Sequence, residues 1–303
     1  MKLIRRLILT APTLALILIL SLSSTSTIIG QSAIPQDTVL QAFEQLQEQD
    51  YTFTAETTLN AHYTDASEVT TPLISIALMS GYVQSNGNRQ INLKQFSGED
   101  LTDALVSRAM IIDQIRLDGE LYVNVGNIEY LAVIEPGWWR YDELTAQPEG
   151  ETLKLRLDSF VNVPTPSEYQ FDPEFITSVT EQEPETLNDV PMRVFDVEMD
   201  AQALTIAQLP GTDEEKQEQI AKNKDLIDAT ELSISYRLWI GAEDGLLYRG
   251  LVTSYTFYPY ATLGGEDSGF PPYDIEINST VSFDITGYNV DQTITTPETL
   301  NTP

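Results

Sequence analysis

Residues 274–285, with the sequence DIEINSTVSFDI, alternate apolar and polar side chains more regularly than any other part of this chain. Because successive side chains of a strand point to opposite faces, the alternation predicts a strand with one covered face. Residues 51–63 repeat the pattern, with Tyr51, Phe53 and Leu59 among the apolar positions. Together the two segments predict long strands that each contribute one apolar face to a sheet.

Less regular alternation predicts further strands on both sides of these two. They cover residues 73–84, 89–96, 110–117, 120–125, 152–158, 192–199, 231–240 and 246–258. The dipeptides Asn86-Gly87, Asp118-Gly119 and Asp244-Gly245 favour tight hairpin turns. Helical periodicity and helix-start residues predict helices at residues 36–49, 171–179, 201–208 and 213–229.

These elements predict a single α+β domain. Its centre is a large curled antiparallel β-sheet of about eight to eleven strands, a half-barrel whose concave apolar face is covered by helices. Curling such a sheet encloses either a packed core or a ligand cavity. The alternation alone leaves these two interiors open.

The composition excludes several classes of function. The 303 residues include 46 acidic and 16 basic side chains, for a formal net charge of −30. Such a surface repels phosphate backbones and anionic headgroups, so neither nucleic-acid binding nor docking on an anionic membrane surface is expected. The absence of cysteine excludes disulfides and thiolate metal sites. A hydrophobic content of 42% nevertheless requires a folded core.

The N-terminus has the pattern of an export signal. Lys2, Arg5 and Arg6 precede an apolar run and then small polar residues, which predicts a signal peptide over residues 1–32. Cleavage is expected after Ser32, with Ala33 and Ser26 as alternative positions. An uncleaved membrane anchor is the alternative. Both place residues 33–298, the predicted domain, outside the cytoplasm as a periplasmic, secreted or cell-surface protein. Residues 299–303 are predicted to be a disordered tail, and the protein to be a monomer.

Several short motifs carry a family resemblance across residues 36–298. They are GELYV at 119–123 within the hairpin 114–125, WWRY at 138–141, VPMRVF at 190–195, LWI at 238–240, DGL at 244–246, and FDITGYN at 283–289 followed by Ile294 and Pro297. In this order they resemble the LolA/LppX-like family of bacterial lipoprotein carriers and lipid-binding lipoproteins. The resemblance implies a half-barrel that binds an apolar ligand in the cell envelope. The lipid-modified cysteine of the LppX-like branch is absent, so a lipid tether is not implied.

The polar residues give little indication of catalysis. His62 is the only histidine and lies on the polar side of the strand predicted at 51–63, so a Ser-His-Asp triad is not expected. Glu143, Glu149 and Glu151 are the remaining candidates for acid–base chemistry. The acidic groups at 213–215 and 264–267 lack the ligand spacing of a calcium loop. The sequence therefore predicts no catalytic residue, no cofactor and no metal site.

Apolar side chains of the alternating strands are the candidate binding residues. The predicted ligand-lining set is Leu232, Ile234, Tyr236, Leu238, Ile277, Val281, Phe283, Tyr122 and Trp138. The predicted rim consists of Tyr255, Phe257, Tyr258 and Phe270. Each methylene of an acyl chain buried against such residues contributes about 0.8 kcal/mol, with the helices acting as a movable lid.

The sequence thus predicts an exported, non-enzymatic protein that binds or carries a hydrophobic ligand, either a lipid acyl chain or a lipoprotein moiety. The alternative is an envelope sensor or protein-interaction module with the same fold and a solid core, which would bind an envelope protein partner. A hydrolytic enzyme using His62 or the glutamates is the third and weakest hypothesis.

Overall fold

The computed structural model describes residues 34–65, 69–98, 110–125, 135–146, 154, 157–158, 161–169, 172–207, 209, 211–260 and 273–301. The helices are α1 (Ile34–Gln47), α2 (Tyr141–Thr145), α3 (Ala201–Ala207), α4 (Asp213–Lys222) and α5 (Lys224–Ala229), with 3-10 turns at Pro166–Glu168 and Pro173–Phe175. Within the described ranges, none of these helices is long and apolar enough to cross a membrane.

Eleven strands form one antiparallel sheet. They are β1 (Tyr51–Asp65), β2 (Thr70–Val83), β3 (Arg89–Gly98), β4 (Met110–Leu117), β5 (Glu120–Asn124), β6 (Trp138–Arg140), β7 (Ile176–Leu187), β8 (Val190–Met199), β9 (Glu231–Gly241), β10 (Leu247–Tyr258) and β11 (Tyr273–Tyr288). Their order is β6-β5-β4-β3-β2-β1-β11-β10-β9-β8-β7. The chain therefore makes two meanders, β1–β6 and β7–β11, which are joined by the pairing of β1 with β11. The sheet is open, with β6 and β7 as its edges.

The two ends of the sheet differ in their connections. At one end, here called the turn end, short turns connect β2 to β3, β4 to β5, β7 to β8 and β9 to β10. Two of these turns place Asp118 and Asn188 at positive φ, a backbone conformation that Asn and Asp tolerate better than most residues. At the opposite end, here called the loop end, four residues connect β1 to β2, and much longer connections follow β3, β5, β8 and β10.

The main core lies on one face of the sheet, here called the core face. Phe53, Phe195 and Phe283 project from this face and are at most 1% exposed. Helix α1 packs against β7, β9 and β10 and buries Phe43 and Leu46 in the same core. Its apolar stripe explains this position, because the stripe needs an apolar sheet face as a partner.

The connection between the two meanders crosses the core face. After β6 and α2, the chain buries Leu157, Val161 and Tyr169 in the main core before it reaches β7. The ring of Tyr169 stacks on that of Phe283, with centroids 5.6 Å apart and planes 8° from parallel. Arg89 anchors the same segment through an ion pair of 2.6 Å with Glu168.

A glycine makes room for the stacked rings. A Cβ on Gly250 would lie 2.2 Å from the Phe283 ring, far inside van der Waals contact. Phe283 and Gly250 are direct partners on β11 and β10, so the ring lies over the neighbouring strand. The core at this point is filled by side chains.

The C-terminal segment crosses the other face, here called the tail face. Ile294 is buried there in a cluster with Tyr82, Ile115 and Tyr122. Further along, the backbone N–H of Asn301 donates a 2.7 Å hydrogen bond to the carbonyl oxygen of Trp138. The chain from β11 onward is thus held against the sheet up to Asn301.

The predicted α+β class and antiparallel sheet are confirmed, but some predicted elements are wrong. Lys154, Leu157 and Asp158 are helical, so the strand predicted at residues 152–158 is not formed where the structure describes it. The helix predicted at residues 171–179 is replaced by a single 3-10 turn and the start of β7. The helix predicted at 213–229 is interrupted at Asn223, which lies between α4 and α5.

Candidate ligand-binding site

A second apolar cluster lies toward the loop end of the core face, apart from the main core. This distal cluster consists of Leu59, Ala61, Tyr63, Leu73, Ile275 and Ile277, all at most 8% exposed, with Tyr258, Tyr260 and Tyr273 partly buried around it. Strand alternation and register explain the assembly. Ala61 pairs with both Leu73 and Ile277, so the three central strands present these side chains in one row.

Serine residues separate the distal cluster from the main core. Leu59 pairs with Ser75 on one side and with Ser279 on the other. Ser75 Oγ and Ser97 Oγ are 2.9 Å apart and hydrogen bonded, while Ser254 is the strand partner of Ser279. Serine hydroxyl groups thus flank Leu59 on both sides, at the edge of the distal cluster that faces the main core.

Tyrosine rings border the distal cluster. Tyr63 and Tyr273 meet edge to face, with centroids 5.6 Å apart and planes at 80°. Tyr258 and Tyr260 are stacked, with centroids 5.3 Å apart and planes at 10°. Such rings combine a large apolar surface with one polar group, which is typical of a site that contacts an amphipathic molecule.

The Tyr63 hydroxyl has an unusual environment. The residue is 8% exposed, and its hydroxyl oxygen is buried without a hydrogen-bond partner. Burial, with a smaller contribution from Tyr273, raises the pKa of Tyr63 to about 12. Burial also raises the pKa of Tyr260 to about 12, with contributions from Tyr258 and Tyr273. These phenols are therefore protonated at neutral pH and can donate hydrogen bonds.

The structure does not bring the predicted lining residues together. Tyr236, Leu238, Val281 and Phe283 belong to the main core, where the ring of Tyr169 stacks on that of Phe283. Ile277 belongs to the distal cluster. Leu232 and Ile234 on β9 are half-buried and lie between these regions. Leu232 is two strands away from Ile277, and Ile234 packs on the main core.

Two of the predicted lining residues and two of the predicted rim residues project from the tail face. Tyr122 is buried with Ile294, and Trp138 packs against the same cluster. The pairing of β5 with β6 turns the alternate residues, Val123 and Trp139, toward the core face. Tyr255 and Phe257 alternate with the core-facing residues of β10 and are half-buried. Tyr258 borders the distal cluster, and Phe270 lies outside the described residues.

Sequence reasoning missed Leu59, Ala61, Tyr63 and Leu73 as site residues. Their alternation identified the strands, but only the register of β1 with β2 and β11 brings them beside Ile275 and Ile277. A pairing of the two most regular strands, residues 51–63 and 274–285, was the signal that could have found them. Using this signal would have required the assumption that the first and last strands are neighbours in the sheet.

The candidates for catalysis do not converge where the structure describes them. His62 lies on the tail face, opposite Glu276 and Pro72 on the adjacent strands. Glu143 follows β6 in α2, where its carboxylate lies 3.8 Å from Arg140. Glu149 and Glu151 lie outside the described residues.

A cavity of about 560 Å³ lies on the tail face at the turn end. Its lining is largely polar and includes Asp50, Asp118, Asp291 and the amides Gln84 and Asn289. Asp50 accepts hydrogen bonds from the backbone N–H and the hydroxyl of Ser85, and the backbone bond is the main reason that its pKa is lowered. This lining does not suit an acyl chain.

The comparisons with known proteins concern the fold. No family model and no curated protein matches the chain. Among solved structures, LprF from Mycobacterium bovis is 12% identical, with a TM-score of 0.38 over 88% of this chain and 99% of that one. The lipoprotein LppX of Mycobacterium tuberculosis is 9% identical, with a TM-score of 0.27 over 89% and 100% of the chains. A LolA superfamily protein from Nitrosomonas europaea is 9% identical, with a TM-score of 0.22 over 87% and 96%. The matching structures thus include the LolA and LppX groups that the sequence motifs resemble.

Proposed function

We propose that this is an exported, non-enzymatic protein that binds or carries a hydrophobic ligand, and that it holds an acyl chain of this ligand at the distal cluster. The observation that carries the proposal is an apolar, tyrosine-bordered cluster at the loop end, separate from the main core. Loops and termini of a rigid sheet are where binding sites most often lie, because they can move while the strands keep their geometry.

The main core is less suited to the ligand than the distal cluster. Leu238 and Phe283 are at most 1% exposed, and Tyr169 occupies the place above Phe283 that an acyl chain would need. A ligand there would have to displace a buried aromatic ring. At the distal cluster, by contrast, three tyrosines are only partly buried. Each methylene buried against it would add about 0.8 kcal/mol.

The charge distribution agrees with a carrier that remains in aqueous solution. On β11, Glu276 and Asp284 project from the tail face, opposite the apolar residues of the core face. Asp284 forms a solvent-exposed ion pair of 2.6 Å with Arg249. The acidic residues therefore promote solubility, while the N-terminal pattern supports export.

A specific observation favours a second candidate function. Because the main core is filled by side chains, the same fold can act as a solid envelope sensor or interaction module that binds a protein partner. The distal cluster would then be an extension of the packed core toward the loop end rather than a ligand site. The two functions differ in one observable. A carrier binds an apolar molecule at the distal cluster, whereas a solid sensor or interaction module does not.

The test is binding of the methyl ester of a fluorescent polyene fatty acid to purified protein, with Ala61→Trp as the blocking variant. Ala61 lies at the centre of the cluster, so the indole should occupy the ligand's place and lower the affinity at least tenfold. His62→Trp, one residue along the same strand but on the tail face, is the matched control and should bind normally. Equal binding by both variants, or none by the original protein, would contradict the proposal.

A further inference from the structure

The Tyr63 hydroxyl is a polar group without a partner inside an apolar cluster. Its oxygen is buried, and it forms no hydrogen bond. More than nine in ten buried polar groups in proteins are paired, and an unpaired one costs stability. A phenylalanine would fill the same place without this cost. The hydroxyl therefore calls for an explanation other than packing.

The surroundings of this hydroxyl restrict what it could meet. Tyr63 pairs with Ile275 on one side, and the edge-to-face ring of Tyr273 lies beside it. Leu73 and Ile277 belong to the same cluster. Among the buried residues of the distal cluster, Tyr63 carries the only polar side chain, which suits a ligand with one acceptor oxygen attached to an apolar chain.

The apolar surroundings of Tyr63 distinguish among acceptors. A carboxylate buried at this position would lose its hydration, and the side chains packed there, such as Leu73, Ile275 and Ile277, offer no charge in exchange. The net charge of −30 adds a general repulsion against anions. A neutral carbonyl oxygen avoids both penalties and still accepts the hydrogen bond.

We infer that Tyr63 selects the ligand by donating a hydrogen bond to the carbonyl oxygen of a neutral acyl ester. This inference rests on the proposed function, because it places the ester group of the ligand beside the distal cluster. Tyr63 is then a specificity-determining residue, which distinguishes an esterified acyl chain from a hydrocarbon and from a free fatty acid. Its high pKa keeps the donor proton in place throughout the neutral range.

The test compares three probes of the same chain length, namely methyl hexadecanoate, hexadecanoate and hexadecane, with the full protein and with Tyr63→Phe. We expect the original protein to bind the ester most tightly. In Tyr63→Phe the affinity for the ester should fall roughly tenfold, the value of one hydrogen bond, while the affinity for hexadecane stays unchanged. Tyr255→Phe, near the same end of the sheet but on the tail face, is the control and should preserve the preference for the ester.

The melting temperature of the ligand-free protein provides an independent readout. Removing an unpaired buried hydroxyl should raise it, whereas a fall would mean that the hydroxyl already has a partner and would overturn the inference. An equal loss of ester and hydrocarbon binding would reduce the role of Tyr63 to packing. If the ester retains its preference in Tyr63→Phe, the inference fails but the proposed function stands. If none of the three probes binds the original protein, both fail.

Discussion

Truncating Tyr169 tests whether the segment between the two meanders is part of the core or a lid over it. Tyr169 is 4% exposed and stacks on Phe283 at a centroid distance of 5.6 Å. Replacing a buried aromatic residue by alanine costs about 3–5 kcal/mol, of which the ring pair accounts for about 0.5–1.5 kcal/mol. Tyr169→Ala should therefore lower the free energy of unfolding by about 3–5 kcal/mol.

Urea unfolding followed by circular dichroism measures this change. The midpoint should fall at an unchanged slope, because the surface exposed on unfolding is nearly the same. Tyr255→Ala, a half-buried tyrosine on the tail face, serves as the control and should cost about 1 kcal/mol or less. A loss below about 1 kcal/mol in Tyr169→Ala would refute the reasoning. The segment would then be a loosely attached lid, and the space above Phe283 would be open to a ligand.

Three further predictions concern the tail, the acid range and the stacked core. Ile294→Ala should lower the free energy of unfolding by about 2–3 kcal/mol because Ile294 is 6% exposed, whereas Leu300→Ala, at 38% exposure, should change it by less than about 0.5 kcal/mol in the same urea assay. The backbone hydrogen bond from Ser85 lowers the pKa of Asp50 below its ordinary value of 3.8. The ionised carboxylate therefore stabilises the fold at pH values above 3.8, and this stabilisation is lost as the pH falls through the lowered pKa. Asp50→Asn should therefore flatten the acid limb of a stability–pH curve, and an unchanged limb would contradict this. Gly250→Ala should cost about 1–3 kcal/mol, since its methyl group would overlap a buried ring, and its crystal structure should show that ring displaced.

Much of the sheet could be predicted because its strands alternate cleanly. β1 and β11 each bury one face over ten or more residues, and a period of two leaves no helical alternative at that length. β7 lacks this signal because it is an edge strand whose side chains are mostly exposed on both faces, and it contains Pro184. Its sequence therefore resembles a loop.

The alternation at residues 152–158 misled the prediction for a different reason. Leu157 is buried in the main core, whereas Lys154 and Asp158 form an ion pair that is partly exposed to solvent. A short segment in a connection thus imitates the alternation of a strand. Period two over seven residues fits several conformations, and tertiary contacts decide between them.

The candidate site depended on register more than on composition. Of the lining residues that the sequence predicted, Ile277 on β11 belongs to the distal cluster. Leu238 and Phe283 belong to the main core, where the ring of Tyr169 stacks on Phe283. Tyr122 was predicted to line the site but packs with Ile294 on the tail face, because a strand of five residues with apolar side chains on both faces has no unique orientation. Residues far apart in sequence had to be paired before the distal cluster could be recognised.

The location of a bound acyl chain tests the central claim most directly. A hexadecanoyl ester with a diazirine near the end of its chain, photolysed in complex with the full protein, should form adducts that peptide mapping by mass spectrometry places on Leu59, Ala61 or Ile277. Unlabelled ester should suppress these adducts by competition. Adducts that persist against the competitor, or that lie on Leu238 and Phe283 in the main core, would contradict the account.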